Sequence, residues 1–214
     1  MAKARHYILP FLIFLLLTEA SRYFLSYFFV VYALKTLLVG GLLWCWRKKF
    51  QELYVRPDWK ELFVAVGAGF LVFIFWIAGE NFFPQLGKPD GYSPYQQAFS
   101  TTLVCLTILF RLIGAAVVVP IMEELFWRSF LMRYLIDRKF LKIPLGTYTH
   151  LSFWAVVFLF ALEHFRIIPG ALAGITYGGL LCVTRKIWVP IMAHALTNLS
   201  LGIYVLATGQ WKFW

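Results

Sequence analysis

The sequence contains little charge and therefore little of what covers the surface of a soluble protein. Only 14% of its 214 residues are charged, whereas 61% are hydrophobic and 20% are aromatic. A soluble domain of this length has too small an interior to bury so much apolar side chain, so lipid must be its solvent. The composition excludes an ordinary soluble domain and predicts an all-α, polytopic bundle of about seven to eight transmembrane helices.

Cysteine is also scarce, and its three positions, Cys45, Cys105 and Cys182, are far apart inside apolar stretches. They form neither a disulfide framework nor a C-x-x-C metal motif. The formal net charge is +10, but the basic residues occur in short clusters at the ends of apolar runs. This pattern is typical of topology signals and of contacts with anionic lipids in a bilayer, and it argues against nucleic acid as a partner.

Apolar runs long enough for helices divide the chain into candidate spans. These spans are approximately 7–20, 23–46, 61–80, 97–119, 149–165, 169–184 and 187–208. The first and the sixth are short for a full crossing. Residues 121–138 predict a further helix that continues the fourth span across a break at Pro120. No polar linker divides the chain, so we expect one membrane domain, 1–214, with N-terminal helices and an external loop in 1–96 and a helical core in 97–208.

Basic clusters predict the orientation of these spans. With strict alternation, the clusters at 47–49, 138–142 and 185–186 lie on the same side as the N-terminus. Because cytoplasmic loops carry an excess of Lys and Arg, we expect the N-terminus in the cytoplasm and the C-terminus outside. The loop 81–95 is then an ordered external loop, and a lid or substrate-entry role for it stays open.

Polar groups inside the apolar segments are few, and ionisable ones cost roughly 2.5–3.5 kcal/mol each on insertion scales. They fall in three places: Glu123, Glu124 and Arg128, then Glu163 and His164, then His194 and Asn198. Glu124 and Arg128 are four residues apart, which predicts an ion pair on one helix face. Glu123 is rotated by about 100° from Glu124 around the helix axis. The alternative is that these polar groups only hold the helices together, but such a structural role does not require two histidines, an amide and a second carboxylate. We therefore expect these groups to surround one polar intramembrane cavity.

Missing motifs narrow the chemistry of such a cavity. No H-E-x-x-H motif of a zinc metalloprotease is present. An intramembrane aspartyl protease needs two aspartates at membrane depth, but the aspartates at 58, 90 and 137 all lie in loops or at helix ends. A rhomboid-like serine protease needs a serine in a G-x-S setting with a histidine partner, and no serine has that setting. Glutamate and histidine chemistry remains. Glu123 is then the general base for a water molecule, and His164 holds that water or returns the proton to the leaving amine. His194 and Asn198 donate N–H groups to the developing oxyanion, and the Glu124–Arg128 pair supports the site.

The three stretches also resemble a known protein family. "EELFWR" (123–128), "FALEH" (160–164) and "HALTN" (194–198) are similar to the E-E-x-x-x-R, F-x-x-x-H and H-x-x-x-N motifs of the CAAX protease and bacteriocin-processing (CPBP, or Abi) intramembrane proteases. The resemblance covers roughly 97–205. It implies that Glu123 and His164 activate water, that His194 and Asn198 form an oxyanion hole, and that no cofactor is needed. A zinc-dependent version, with Glu123, His164 and His194 as ligands, is the minority alternative.

Two features distinguish this chain within the family it resembles. Glu163 adds a charge directly before His164, as a structural partner or as a group that tunes the imidazole. The small size and aromatic richness are similar to those of bacterial CAAX prenyl protease-related proteins of exosortase sorting systems. That subgroup implies a multi-pass protein of the bacterial inner (plasma) membrane, with a membrane-anchored protein or peptide as substrate rather than a prenylated cysteine. A non-catalytic membrane scaffold or immunity-type binding protein with the same fold is the competing hypothesis.

Overall fold

The protein is a bundle of helices. The computed structural model describes residues 4–23, 27–85, 87, 91–95 and 100–213, and every regular element within them is helical. The main helices are α1 (Arg5–Tyr23), α2 (Phe28–Trp46), α3 (Trp59–Ala78), α4 (Thr101–Tyr134), α5 (His150–Leu162), α6 (Ile167–Thr184) and α7 (Trp188–Thr208). Short 3₁₀ turns are found at Arg47–Lys49, Gln51–Tyr54, Gly79–Asn81, Phe140–Lys142 and Trp211–Phe213. This architecture confirms the predicted polytopic helical fold class.

Among the described residues, five helices, α2, α3, α4, α6 and α7, are long and apolar enough to cross a membrane. The prediction that the sixth span is short was wrong, because Ile167–Thr184 meets this criterion with its 18 residues. Helix α5, predicted as the span 149–165, is instead too short for this criterion, because it has only 13 residues. Residues 24–26 and 97–99, predicted within the second and fourth spans, lie outside the described part of the chain.

Helix α4 is continuous, and the predicted break at Pro120 does not occur. Pro120 lies in the α-helical segment Val119–Glu123, which is flanked by the π-helical segments Gly114–Val118 and Glu124–Leu131. Proline lacks an N–H group and its ring crowds the preceding turn, and a wider π turn directly before it relieves that conflict. The helix ends at Tyr134 rather than near residue 138. Its second π segment contains Glu124 and Arg128, so both lie in a turn that departs from α-helical spacing.

Helices α3 and α7 pack against each other more extensively than any other described pair. Gly69 makes this close approach feasible, because a methyl group in place of its hydrogen would lie 2.6 Å from the Ala193 carbonyl oxygen. The Thr197 hydroxyl lies 2.9 Å from the Gly69 carbonyl oxygen across the same contact. The contact therefore fixes the turn of α7 that carries His194.

A stripe of glycines on α6 brings α5 into close contact. Gly170, Gly174 and Gly178 recur every fourth residue, and methyl groups added to them would meet atoms of α5 or of the residues that follow it at 2.9–3.4 Å. Small residues at this spacing allow two membrane helices to approach closely. The packing places His164, which lies just after α5, beside the first glycine of the stripe.

Glu80 joins three segments at one end of the bundle. Its carboxylate accepts a hydrogen bond from Arg166 Nε at 2.5 Å and pairs with Lys212 Nζ at 3.1 Å. The first contact links the end of α3 to the start of α6, and the second holds the turn Trp211–Phe213. The ring of Phe213 is consequently held in the wall of the cavity described next.

Candidate active site

One cavity, of about 260 Å³, is lined by four of the seven polar residues that the sequence singled out, whereas Glu124, Arg128 and Glu163 do not line it. Glu123 from α4, His164 from the connection after α5, and His194 and Asn198 from α7 all line it. The expected gathering of these four groups is therefore present in the structure. Apolar and aromatic side chains, including Trp76 of α3, complete the wall.

Helix α4 presents a single face to this cavity. Arg111, Ala115, Val119 and Glu123 line the wall, and their spacing of four residues places them on one stripe of the helix. Helix α4 therefore contributes four residues to the wall of the cavity.

Glu124 lies behind the cavity wall and binds two partners. Its Oε1 atom lies 3.2 Å from Arg128 Nη1, so the predicted ion pair is present, and 2.9 Å from His194 Nδ1. Both members of the ion pair have no exposed side-chain surface. The Arg128 guanidinium also lies over the Phe160 ring, 4.1 Å from its centroid. The contact to His194, which links two helices remote in the chain, was not predicted.

The hydrogen bonds of the two histidines determine which ring nitrogen carries a proton. His164 Nδ1 lies 2.7 Å from the Phe160 carbonyl oxygen. Because a carbonyl oxygen only accepts, Nδ1 donates and Nε2 of the neutral ring is an acceptor. His194 Nδ1 donates in the same way to the carboxylate of Glu124, and its ring stacks on Tyr177 at 4.9 Å. The expected N–H donation from His194 to substrate therefore requires a protonated ring, in which Nε2 also carries hydrogen.

Asn198 is oriented by the backbone of α4. Its Nδ2 donates to the carbonyl oxygen of Ala115 at 2.8 Å, within the first π-helical segment. An amide nitrogen carries two N–H groups, so a second donor remains beside the cavity. Directly before it on α7, the Thr197 hydroxyl accepts a hydrogen bond from Tyr177 at 2.8 Å, which steadies the same turn of the helix.

The carboxylates of Glu123 and Glu163 have different surroundings. Glu123 is 5% exposed, and its Oε2 atom has no hydrogen-bond partner among the described residues. Glu163 Oε2 instead accepts a hydrogen bond from Trp127 Nε1 at 3.2 Å, and its carboxylate is close enough to interact electrostatically with Glu123. Glu163 is thus a partner of α4, and Glu123 offers an acceptor to a molecule within the cavity.

The expected zinc ligands share a cavity but do not form a metal site. Within the described ranges, no three His, Cys, Asp or Glu side chains are grouped so that they could hold a metal ion. Glu123, His164 and His194 line the same wall without forming such a set. The zinc-dependent alternative does not fit this arrangement, and no chemical step below involves a metal.

Two buried cations within apolar helices were not predicted to be part of the interior. Arg111 is 3% exposed on α4 and donates from Nη1 to the Tyr92 carbonyl oxygen at 2.9 Å, within the loop 81–95. Lys35 is 5% exposed on α2 and donates to Thr18 Oγ1 at 2.9 Å. Each was detectable as a basic residue inside an apolar run, but neither belongs to a motif. The lid or substrate-entry role that was left open for this loop is not tested, and residues 86 and 88–90 lie outside the described part of the chain.

The comparison with protein families gives a match to part of the chain. Residues 105–200 match the family described as Rce1-like, type II CAAX prenyl endopeptidase Rce1-like, a stretch that contains all three motifs. No curated protein and no solved structure matches the chain. Over this region the chain is similar to the Rce1-like family, which confirms the predicted resemblance and supports a CAAX-protease-like peptide hydrolase at the family level. Together with the five apolar helices, the match identifies an integral membrane protein.

Proposed function

We propose that this Rce1-like chain is an intramembrane endopeptidase that cleaves a membrane-anchored protein or peptide with a water molecule activated by Glu123. One observation carries the proposal: Glu123, His164, His194 and Asn198 come from three separate parts of the chain and line one cavity. Isolated polar groups in a membrane domain are costly, and their convergence on one cavity is typical of a functional site.

Activation of water uses Glu123 and His164. The Glu123 carboxylate, with Oε2 lacking a described hydrogen-bond partner, accepts one proton of the water. His164 Nε2, an acceptor because Nδ1 donates to Phe160, accepts a hydrogen bond from the other. The water oxygen then attacks the carbonyl carbon of the scissile bond, and the carbonyl oxygen becomes negative.

Stabilisation of that oxyanion uses the residues of α7. The second N–H of Asn198 donates to it, and His194 Nε2 donates when the ring is protonated. Glu124, bonded to His194 Nδ1 and paired with Arg128, balances the added positive charge. Glu124 and Arg128 are positioning residues, since neither lines the cavity.

Collapse of the tetrahedral intermediate completes the reaction. The carbon–nitrogen bond breaks as the amine nitrogen takes the proton that Glu123 received from water, either directly or through His164. The products are a carboxylic acid and an amine, and Glu123 returns to its ionised form. No covalent enzyme intermediate is formed.

The subgroup resemblance supports the proposed substrate, and the basic clusters support the proposed orientation. The proposed substrate is a sorted or membrane-anchored protein tail, as in the exosortase-associated subgroup, rather than a prenylated cysteine. The proposed location is the bacterial inner membrane, with the N-terminus in the cytoplasm as the basic clusters indicate. The 97–208 core holds the catalytic groups, and 1–96 supports it.

Terminus mapping of membrane proteins tests this function. Cells that produce the wild-type chain are compared with cells that produce Glu123→Gln, which keeps the side-chain shape and removes the base. We expect new protein termini that depend on the wild-type chain and disappear with Glu123→Gln. The matched control is Glu19→Gln, the same change on α1 outside the cavity wall. If the Glu123→Gln and wild-type membranes contain identical protein termini and equal amounts of folded chain, the proposal that Glu123 activates water for hydrolysis is refuted.

A further inference from the structure

A second cavity lies between the start of α1 and the chain that follows α4. Its volume is about 940 Å³, and its lining residues fall within 4–9, 130–134 and 138–142. None of the described residues lines both this cavity and the one that contains Glu123. We call it the basic groove because four of its lining residues are cations, Arg5, Arg138, Lys139 and Lys142.

The charge of the basic groove has one sign. All four basic side chains are exposed, and none of them forms an ion pair within the described ranges. No described carboxylate lines the groove. Asp137 is the adjacent acid in the chain, and its Oδ1 atom accepts a hydrogen bond from the backbone N–H of Lys139 at 2.5 Å. The groove therefore offers positive charge to an anion from outside the protein.

Beside these cations the lining of the groove is apolar. Leu9 of α1 and Leu141 of the 3₁₀ turn line it and are exposed. Phe130 and Phe140 also line it, with their ring centroids 5.1 Å apart, and the ring of Tyr7 packs against both. Exposed hydrocarbon next to exposed cations suits a ligand that is apolar in one part and anionic in another.

The backbone that carries three of the cations is held in place. The Lys142 N–H donates to the Lys139 carbonyl oxygen at 2.8 Å, which closes the 3₁₀ turn. Arg133, buried at the end of α4, pairs with Glu52 at 3.4 Å and donates from Nη1 to the Ile143 carbonyl oxygen at 3.4 Å. These contacts fix the turn against α4 and thereby fix the spacing of its cations.

The basic groove lies at one end of the helical bundle. Tyr7, near the start of α1, donates to Glu52 Oε2 at 3.2 Å, and Glu52 lies in the connection from α2 to α3. The basic clusters at 47–49 and 185–186 flank helices at the same end. The ends of transmembrane helices lie at the level of the lipid phosphates, and basic pockets between such helices bind the head groups of anionic lipids.

We propose that the basic groove binds an anionic phospholipid, whose phosphate meets the cations and whose acyl chain lies along the apolar lining. A free anion such as inorganic phosphate would leave Leu9 and Leu141 uncovered. A zwitterionic lipid would bring its own cation to the basic side chains. The occupant is therefore a lipid with net negative charge, and its binding does not depend on hydrolysis at Glu123.

Native mass spectrometry of the purified full-length protein tests this site, because it counts the lipid molecules bound to each protein. The protein in detergent is titrated with phosphatidylglycerol or with phosphatidylcholine of the same acyl chains. The titrations are repeated with the double variant Arg138→Gln and Lys142→Gln, whose changed side chains are exposed and do not support the core.

We expect the first phosphatidylglycerol to bind at least about tenfold more tightly than the first phosphatidylcholine. A basic residue near anionic lipid contributes about fivefold in affinity, so the double variant should lose about 25-fold for phosphatidylglycerol. Its binding of phosphatidylcholine should change little. A large excess of glycerol 3-phosphate, which lacks the acyl chains, should not displace the bound lipid.

The matched control is the double variant Lys49→Gln and Arg56→Gln, which removes two exposed cations from the connection between α2 and α3. Neither residue lines the basic groove, so the first phosphatidylglycerol should bind as it does to the wild-type protein. Equal affinity for the two lipids, including no binding of either, overturns the proposal. Equal losses in the two double variants also overturn it, since they indicate attraction to the whole basic surface, and displacement by glycerol 3-phosphate would assign the groove to a free phosphate instead.

Discussion

The imidazole of His194 and the carboxylate of Glu124 are hydrogen-bonded at 2.9 Å, although 70 positions separate them in the chain. The same carboxylate oxygen lies 3.2 Å from Arg128 Nη1. All three side chains are buried, so each depends on the others for its charge balance. Glu124, which does not line the cavity, therefore fixes the orientation of the His194 ring in the cavity wall.

Removal of only one charge from the Glu124–Arg128 pair is therefore expected to be costly. Glu124→Gln leaves the Arg128 guanidinium buried without its countercharge, which typically costs about 3–5 kcal/mol. Replacing both residues, Glu124→Gln with Arg128→Met, should destabilise the protein less than the sum of the single changes. Unfolding of the purified protein by SDS measures this, and additive losses would contradict the pairing.

Asn198→Ala tests the proposed oxyanion donor. Losing one such donor typically lowers kcat by about 10²–10³-fold, with little change in KM when the group acts only in the transition state. We expect kcat to fall while KM stays nearly unchanged, as measured on a substrate found by terminus mapping. Ser200→Ala, on the same helix but outside the cavity lining, is the control. A rise in KM at constant kcat would instead assign Asn198 to substrate binding.

Gly69→Ala should displace α7, because the new methyl group would lie 2.6 Å from the carbonyl oxygen of Ala193, a backbone atom that cannot rotate away. We expect lower stability and reduced activity, since His194 follows Ala193. Gly67→Ala on the same helix is the matched control, as nothing lies within 4 Å of its added methyl group. Equal behaviour of the two variants would show that the α3–α7 contact does not position the site.

Acid should release the segment held by Glu80. Burial raises the pKa of this carboxyl, but the hydrogen bonds from Arg166 and Lys212 outweigh that effect and lower it from 4.5 to about 2. Because the folded-state pKa is depressed, Glu80 stabilises the fold above pH 4.5, and this contribution is lost as the pH falls towards 2. The Glu80→Gln protein should lack this part of the acid dependence in unfolding measurements. If the stability of the wild-type and Glu80→Gln proteins falls in parallel as the pH is lowered, the proposed contribution of Glu80 is wrong.

The sequence predicted what lies within one helix better than what lies between helices. The Glu124–Arg128 pair followed from a four-residue spacing, and the three motifs indicated which side chains meet. The bond from Glu124 to His194 could not be predicted, since it depends on how closely α7 approaches α3 at Gly69. The continuity of α4 through Pro120 was missed because the π-helical turn that accommodates it has no simple sequence signal.

Arg111 was missed for a different reason. It is visible as a basic residue inside the predicted span 97–119, but the sequence alone does not show that it shares a cavity with Glu123. That relation requires both the helical stripe and the neighbouring helices that close the wall. The sequence thus identified the catalytic candidates and left the extent of the cavity to the structure.

The central claim is that Glu123 is the base for water, and single-turnover kinetics with purified protein test it most directly. A substrate identified by terminus mapping is mixed with excess wild-type or Glu123→Gln protein in nanodiscs, and both cleavage and binding are followed. The account predicts that the Gln variant cleaves about 10²–10⁴-fold more slowly at an unchanged Kd, the range expected for loss of a general base. Cleavage by this variant at close to the wild-type rate would contradict the account.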